Sequence, residues 1–68
     1  MGEEIEKLFN YKNYDILIKK KGNKYYVGIK NKVEIWLEDA IYDNLQLAIT
    51  SGREYARIII DKMIVSRK

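Results

Sequence analysis

The sequence predicts an α+β domain: a three-stranded antiparallel meander packed on a helix, with a short N-terminal helix and a C-terminal helix. Three observations lead there. Residues 14–20 and 24–30 are rich in Tyr, Ile and Val and flank Gly22-Asn23, a pair suited to a tight primed turn. A third such run, Val33-Glu34-Ile35-Trp36-Leu37, follows the Lys30-Asn31-Lys32 turn. From Leu37 onward the apolar spacing changes from that of a strand to that of a helix.

Each element follows from its own pattern. Ile5, Leu8 and Phe9 recur at i, i+3 and i+4, which predicts a short amphipathic helix over residues 3–10, laid as a lid on the core. With Gly22-Asn23 at the loop, Lys21 opposes Lys24, Ile18 opposes Val27 and Ile16 opposes Ile29. The same register sets Lys19 beside Tyr26 and Asp15 beside Lys30. Opposing Ile29 with Val33 then brings Val27 beside Ile35 and Tyr26 beside Trp36. Because side chains alternate along a strand, one face collects Tyr14, Ile16, Ile18, Tyr25, Val27, Ile29, Val33, Ile35 and Leu37. That is the expected core. The other face mixes Asp15, Lys19, Lys30 and Glu34 with Leu17, Tyr26 and Trp36.

Leu37, Ala40, Ile41, Leu45 and Ala48 fit a helix facing the sheet, with Glu38 and Asp39 in a first turn whose dipole favours anions. Thr50-Ser51-Gly52 interrupts it, and Ser51 with Glu54 matches a capping box that starts a second helix. Ala56, Ile59, Ile60 and Met63 share one face of that helix, with Ile58, Ile64 and Val65 beside it. The β-branched run Ile58-Ile59-Ile60 leaves a strand from about residue 54 to residue 60 as the alternative.

Length and composition bound what such a fold can do. At 68 residues the chain is a single domain, residues 1–68, and a chain of this size buries only about 60% of the surface its unfolded form exposes. It contains no cysteine and no histidine, so disulfides, thiolate sites and ordinary zinc sites are excluded. Packing or oligomerisation is left as the source of stability. Ile58, Ile60, Ile64 and Val65 offer more apolar surface than one sheet face needs, and mark a candidate dimer interface. No apolar run is long enough to span a membrane, and the first residues, MGEEIEK, are acidic, so a cytoplasmic location is expected.

Catalysis is not expected. Without histidine or cysteine the usual neutral-pH base and the strongest nucleophiles are missing. Glu38, Asp39 and Asp43 sit at a spacing that recruits magnesium in some proteins. Favourable charge at a helix N-terminus accounts for them more simply, and neither a metal nor a cofactor is expected.

Charge is the most informative feature. Of a net +3, residues 12–32 carry seven lysines against Asp15, or +6, while the segments on either side are slightly negative. Such asymmetry points to an anionic partner. Lys19, Lys20, Lys21, Lys24 and Lys30 are the candidate phosphate contacts, and Tyr26 with Trp36 the candidate platform for stacked bases. The segment has no arginine, the residue of bidentate base recognition, so binding there should be independent of sequence. Lysines also keep strand edges from pairing with other chains, and aromatic pairs also stabilise sheets.

Tyr25-Tyr26-Val27 in one strand, followed by Leu37-Glu38-Asp39-Ala40, resembles the HicB-type antitoxin domain over about residues 16–50. In that family a tyrosine-containing strand precedes a Leu-Glu-Glu-Ala-like helix start. The resemblance implies a module that binds and blocks a larger protein. The same order of elements, with Trp36-Leu37 just before the helix, looks like the three-stranded DNA-binding domains of ethylene-response factors and some phage integrases. The groove-facing arginines of those domains have no counterpart here, so only architecture carries over. The expected function is that of a non-catalytic binding protein contacting nucleic acid or a nucleoprotein through the lysine hairpin and outer sheet face. The alternative is a protein-binding inhibitor or antitoxin-like module of the kind phages and plasmids encode.

Overall fold

The computed structural model describes residues 3–33 and 37–66. Four strands, β1 (Glu3–Tyr11), β2 (Tyr14–Lys21), β3 (Lys24–Lys30) and β4 (Leu37–Tyr42), form one antiparallel sheet in chain order. The chain then turns helical through α1 (Leu45–Leu47), a π-helical stretch (Ala48–Gly52) and α2 (Arg53–Ser66). The α+β class therefore holds. The number of strands and the N-terminal element differ from expectation.

The β2–β3 hairpin has the expected register throughout, from Lys21 opposite Lys24 to Asp15 opposite Lys30. Gly22 takes a φ of +66°, open to glycine at no steric cost, and it is the turn's only residue with positive φ, the pattern of a type II′ turn. The β1–β2 turn places both Lys12 and Asn13 at positive φ, 51° and 70°, as a type I′ turn requires.

Residues 3–10 are strand, not helix. β1 pairs along β2 from Glu3 opposite Lys21 to Tyr11 opposite Tyr14, with a register shift between Ile5 and Lys7. Glu6 is the extra residue of that bulge. It returns Leu8, three positions after Ile5, to the same side of the sheet, while Phe9 turns to the other. A bulged strand has thereby copied the i, i+3, i+4 spacing of a helix.

The same substitution of causes occurs at Leu37. Leu37 opposes Ile29, Glu38 opposes Gly28 and Ala40 opposes Val27, so Asp39 is the extra residue. Leu37 and Ala40 share the inner side and Ile41 points outward, again at helical spacing within a strand. β4 begins at Leu37 and sets Ile41 beside Tyr26, the place expected for Trp36. Glu34, Ile35 and Trp36 lie outside the described residues. Val33, expected in the core, is 80% exposed, and its N–H donates to Asn31 Oδ1 at 2.9 Å.

Asn44, extended at φ −144°, is the true helix start, and its Oδ1 accepts from the Leu47 N–H at 2.9 Å. Ser51 lies inside the π-helical stretch, so the Ser51–Glu54 capping box is not formed. Residues 53–66 are helix, which settles the helix-or-strand alternative. Ala48, Gly52, Ala56 and Ile60, four apart, are all buried against the sheet. Three small residues in that row let the helix approach closely. The core they close on is Tyr14, Ile16, Ile18, Val27 and Ile29, with Phe9, Tyr11, Tyr25, Ala40, Tyr42, Ile59, Met63 and Ile64 packed at its margin. Among the described residues no helix is long and apolar enough to cross a membrane.

Candidate binding surface

The helix covers only one face of the sheet. The other is built by the register: one row runs Ile5, Lys19, Tyr26, Ile41, and the next runs Leu8, Leu17, Gly28. At the outer positions of those rows Ile5, Leu8 and Ile41 are 58%, 61% and 63% exposed. Leu17 and Lys19, in the middle of the sheet, are buried, and Tyr26 is half-buried. The result is an aliphatic surface with an aromatic in it. Solvent-facing strand positions in a small sheet are ordinarily polar, so three exposed aliphatics on one face are informative.

The candidate phosphate contacts are distributed less simply than the sequence suggests. Lys19 is 5% exposed and engaged within the fold, which takes it out of reach of a phosphate. Lys20 opposes Tyr25 on the helix side of the sheet, with its ammonium 5.9 Å from that ring's centre. Lys21, Lys24 and Lys30 are exposed on the outer side. Lys24 Nζ is 2.6 Å from Asp43 Oδ1, and that hydrogen bond raises the lysine's pKa and lowers the carboxyl's. Lys30 opposes Asp15, whose Oδ1 accepts from Asn10 Nδ2 at 3.1 Å. Trp36, the other half of the expected stacking platform, is outside the described residues.

A second cluster ties β1 to α2. Arg53 lies over the Phe9 ring at 4.9 Å and Arg57 over the Tyr11 ring at 5.1 Å. The Tyr11 hydroxyl donates to Asp61 at 3.0 Å, and Lys12 Nζ is 3.0 Å from the same carboxylate. The Lys12 hydrogen bond, with help from Tyr11 and Arg57, holds the Asp61 carboxyl below its ordinary value. Arg57 also meets Glu54 at 3.5 Å, so the cluster is close to neutral and reads as a clamp. Alternating aromatics at residues 9 and 11, and arginines one turn apart, are its sequence signal.

Of the candidate dimer residues, Ile60 is wholly buried in the core and Ile64 packs at its margin, so neither is offered to a partner. Ile58 and Val65 are 50% and 70% exposed on the helix side that faces away from the sheet. With Asp61, Lys62 and Ser66 they form one patch along the outer side of α2. No group of metal-ligating side chains occurs among the described residues. Compared with known proteins, the chain matches no family model, and neither a curated protein nor a solved structure is significantly similar to it.

Proposed function

We propose that the chain is a small non-catalytic cytoplasmic binding protein that docks a larger protein against the outer sheet face. The observation that carries this reading is the exposure of Ile5, Leu8 and Ile41 on one side of the sheet, around Tyr26. An aromatic with aliphatic neighbours is the composition of an interface centre, and lysines at its rim, Lys21 and Lys30, favour an acidic border on the partner. This is the inhibitor or antitoxin-like reading, and it fits the HicB-type resemblance in kind.

The test is capture from host lysate with and without nuclease, using the wild-type chain and Ile41→Asp. One stoichiometric protein, retained after nuclease by the wild type and lost by the variant, supports the proposal. Equal retention by both chains contradicts it.

Nucleic acid is the second reading, and one observation favours it: Lys21, Lys24 and Lys30 are exposed on the same side as Tyr26. If about three phosphates are neutralised, log affinity should fall with log salt at a slope of roughly −3 on duplex DNA. Reversing Lys21 and Lys30 should then weaken binding to every sequence about equally. A flat salt response, or capture that survives nuclease unchanged, rejects this reading.

A further inference from the structure

We infer that the cleft between β1 and the start of α2 binds a terminal phosphate group, free or as a monoester, centred on the Arg53 guanidinium. Arg53 and Arg57, two of the chain's three arginines, stand one turn apart on α2, where Cβ atoms are about 5–6 Å apart. Each lies over an aromatic ring of β1, Arg53 at 4.9 Å from the centre of Phe9 and Arg57 at 5.1 Å from that of Tyr11. With Asn10 and the buried Ile16, these four residues line one shallow cleft. Lys7 opposes the core residue Ile18, so it stands on the same side of β1 as Phe9, two residues before it, and it is exposed.

The charges choose the ligand. Arg57 is answered by Glu54 at 3.5 Å, and Lys12 by Asp61 at 3.0 Å. Arg53 and Lys7 have no carboxylate partner among the described residues, so the near-neutral clamp is positive at this end. The Arg53 guanidinium makes no hydrogen bond with another described residue, and the ring beneath it leaves its N–H fork to an outside acceptor. One such fork fills both oxygens of a carboxylate. A terminal phosphate has a third peripheral oxygen for a second cation, and its charge, close to −2 at neutral pH, matches Arg53 with Lys7. The Arg57–Glu54 contact is exposed and weak, so Arg57 can turn its own fork to the ligand at little cost. Asp61, the other carboxylate nearby, is engaged by Tyr11 and Lys12. The site does not rest on the sheet-face reading, because Phe9, Tyr11 and both arginines lie on the helix side of the sheet.

The test titrates the full isotope-labelled chain with inorganic phosphate, a nucleoside 5′-monophosphate and acetate, at neutral pH and matched ionic strength. Phosphate should give saturable shifts at the amides of Phe9, Asn10, Arg53 and Arg57, and acetate should bind several-fold more weakly. Tighter binding of the nucleotide marks a monoester as the ligand, and equal binding marks the phosphate group alone. Arg53→Gln should weaken phosphate binding about tenfold, as the loss of a charged hydrogen bond implies. Arg53→Lys, which keeps the charge without the fork, should weaken it several-fold. Lys21→Gln, on the outer sheet face, should leave it within about twofold, and circular dichroism confirms that each variant folds. Shifts that do not saturate, acetate bound as tightly as phosphate, or unchanged binding by Arg53→Gln overturns the proposal.

Discussion

Gly52 touches Val27 so closely that a Cβ added to Gly52 would come within 2.5 Å of Val27 Cγ2 and 3.3 Å of Tyr42 Cε2. The glycine is where the helix rests on the sheet. Gly52→Ala should gain about 1 kcal/mol of helix propensity. It should lose about 1–3 kcal/mol or more to overpacking, because Val27 is itself buried and cannot step aside. The net effect is destabilisation, measured by denaturant unfolding. A more stable Gly52→Ala chain would show that the helix can lift from the sheet without cost.

The helix start offers a second test. Asn44→Ala removes the acceptor of the Leu47 N–H and should cost about 1 kcal/mol. Ser51→Ala, in the middle of the π-helical stretch, should change stability by less than about 0.5 kcal/mol. Thermal unfolding of the two variants checks the pair. Equal losses would restore Ser51 as a cap.

Both departures of the fold from the sequence reading share one cause. Ile5, Leu8, Phe9 and Leu37, Ala40, Ile41 carry the same i, i+3, i+4 spacing, and both triplets lie in edge strands with one bulge residue, Glu6 and Asp39. A bulge inserts one residue into an alternation of two, and the sum is a step of three. Apolar periodicity alone cannot separate that from one helical turn. The β2–β3 hairpin was legible because Gly22-Asn23 fixes its register without help from neighbours. Residues 53–66 were legible as an apolar stripe, although the row of small residues that docks them begins earlier, at Ala48.

The binding surface was legible in half. Lys21, Tyr26, Lys30 and Leu17 fall on the outer face as the alternation dictates. Ile5, Leu8 and Ile41 were assigned to helices and so to the core, which hid the aliphatic character of that face. Lys19 lies on the expected side but is 5% exposed and engaged within the fold.

The exposed ion pairs set a pH dependence. Asp61 and Asp43 are held below their ordinary value of 3.8 by hydrogen bonds from Lys12 and Lys24. Depressed carboxylates stabilise the fold above that value, and the contribution fades as pH falls through their lower folded pKa values. Lys12 and Lys24 are raised above 10.5, so their contribution is whole below that value and fades as pH climbs through the higher folded ones. Thermal unfolding of wild type from about pH 5 down to about pH 2 should therefore show an acid loss that Asp43→Asn with Asp61→Asn makes shallower. The change should be small, since all four groups face solvent. An acid limb unaltered in the double variant would assign the loss to other carboxylates.

The outer sheet face is the centre of the functional account, and amide chemical shifts measure its use most directly. The partner retained after nuclease is added to isotope-labelled chain, and the perturbed amides are mapped. The account predicts that shifts and broadening concentrate on Ile5, Leu8, Leu17, Tyr26 and Ile41, with weaker effects at Lys21 and Lys30. Perturbation confined to the Lys20–Lys24 turn or to α2, with Ile5, Leu8 and Ile41 unmoved, would contradict it.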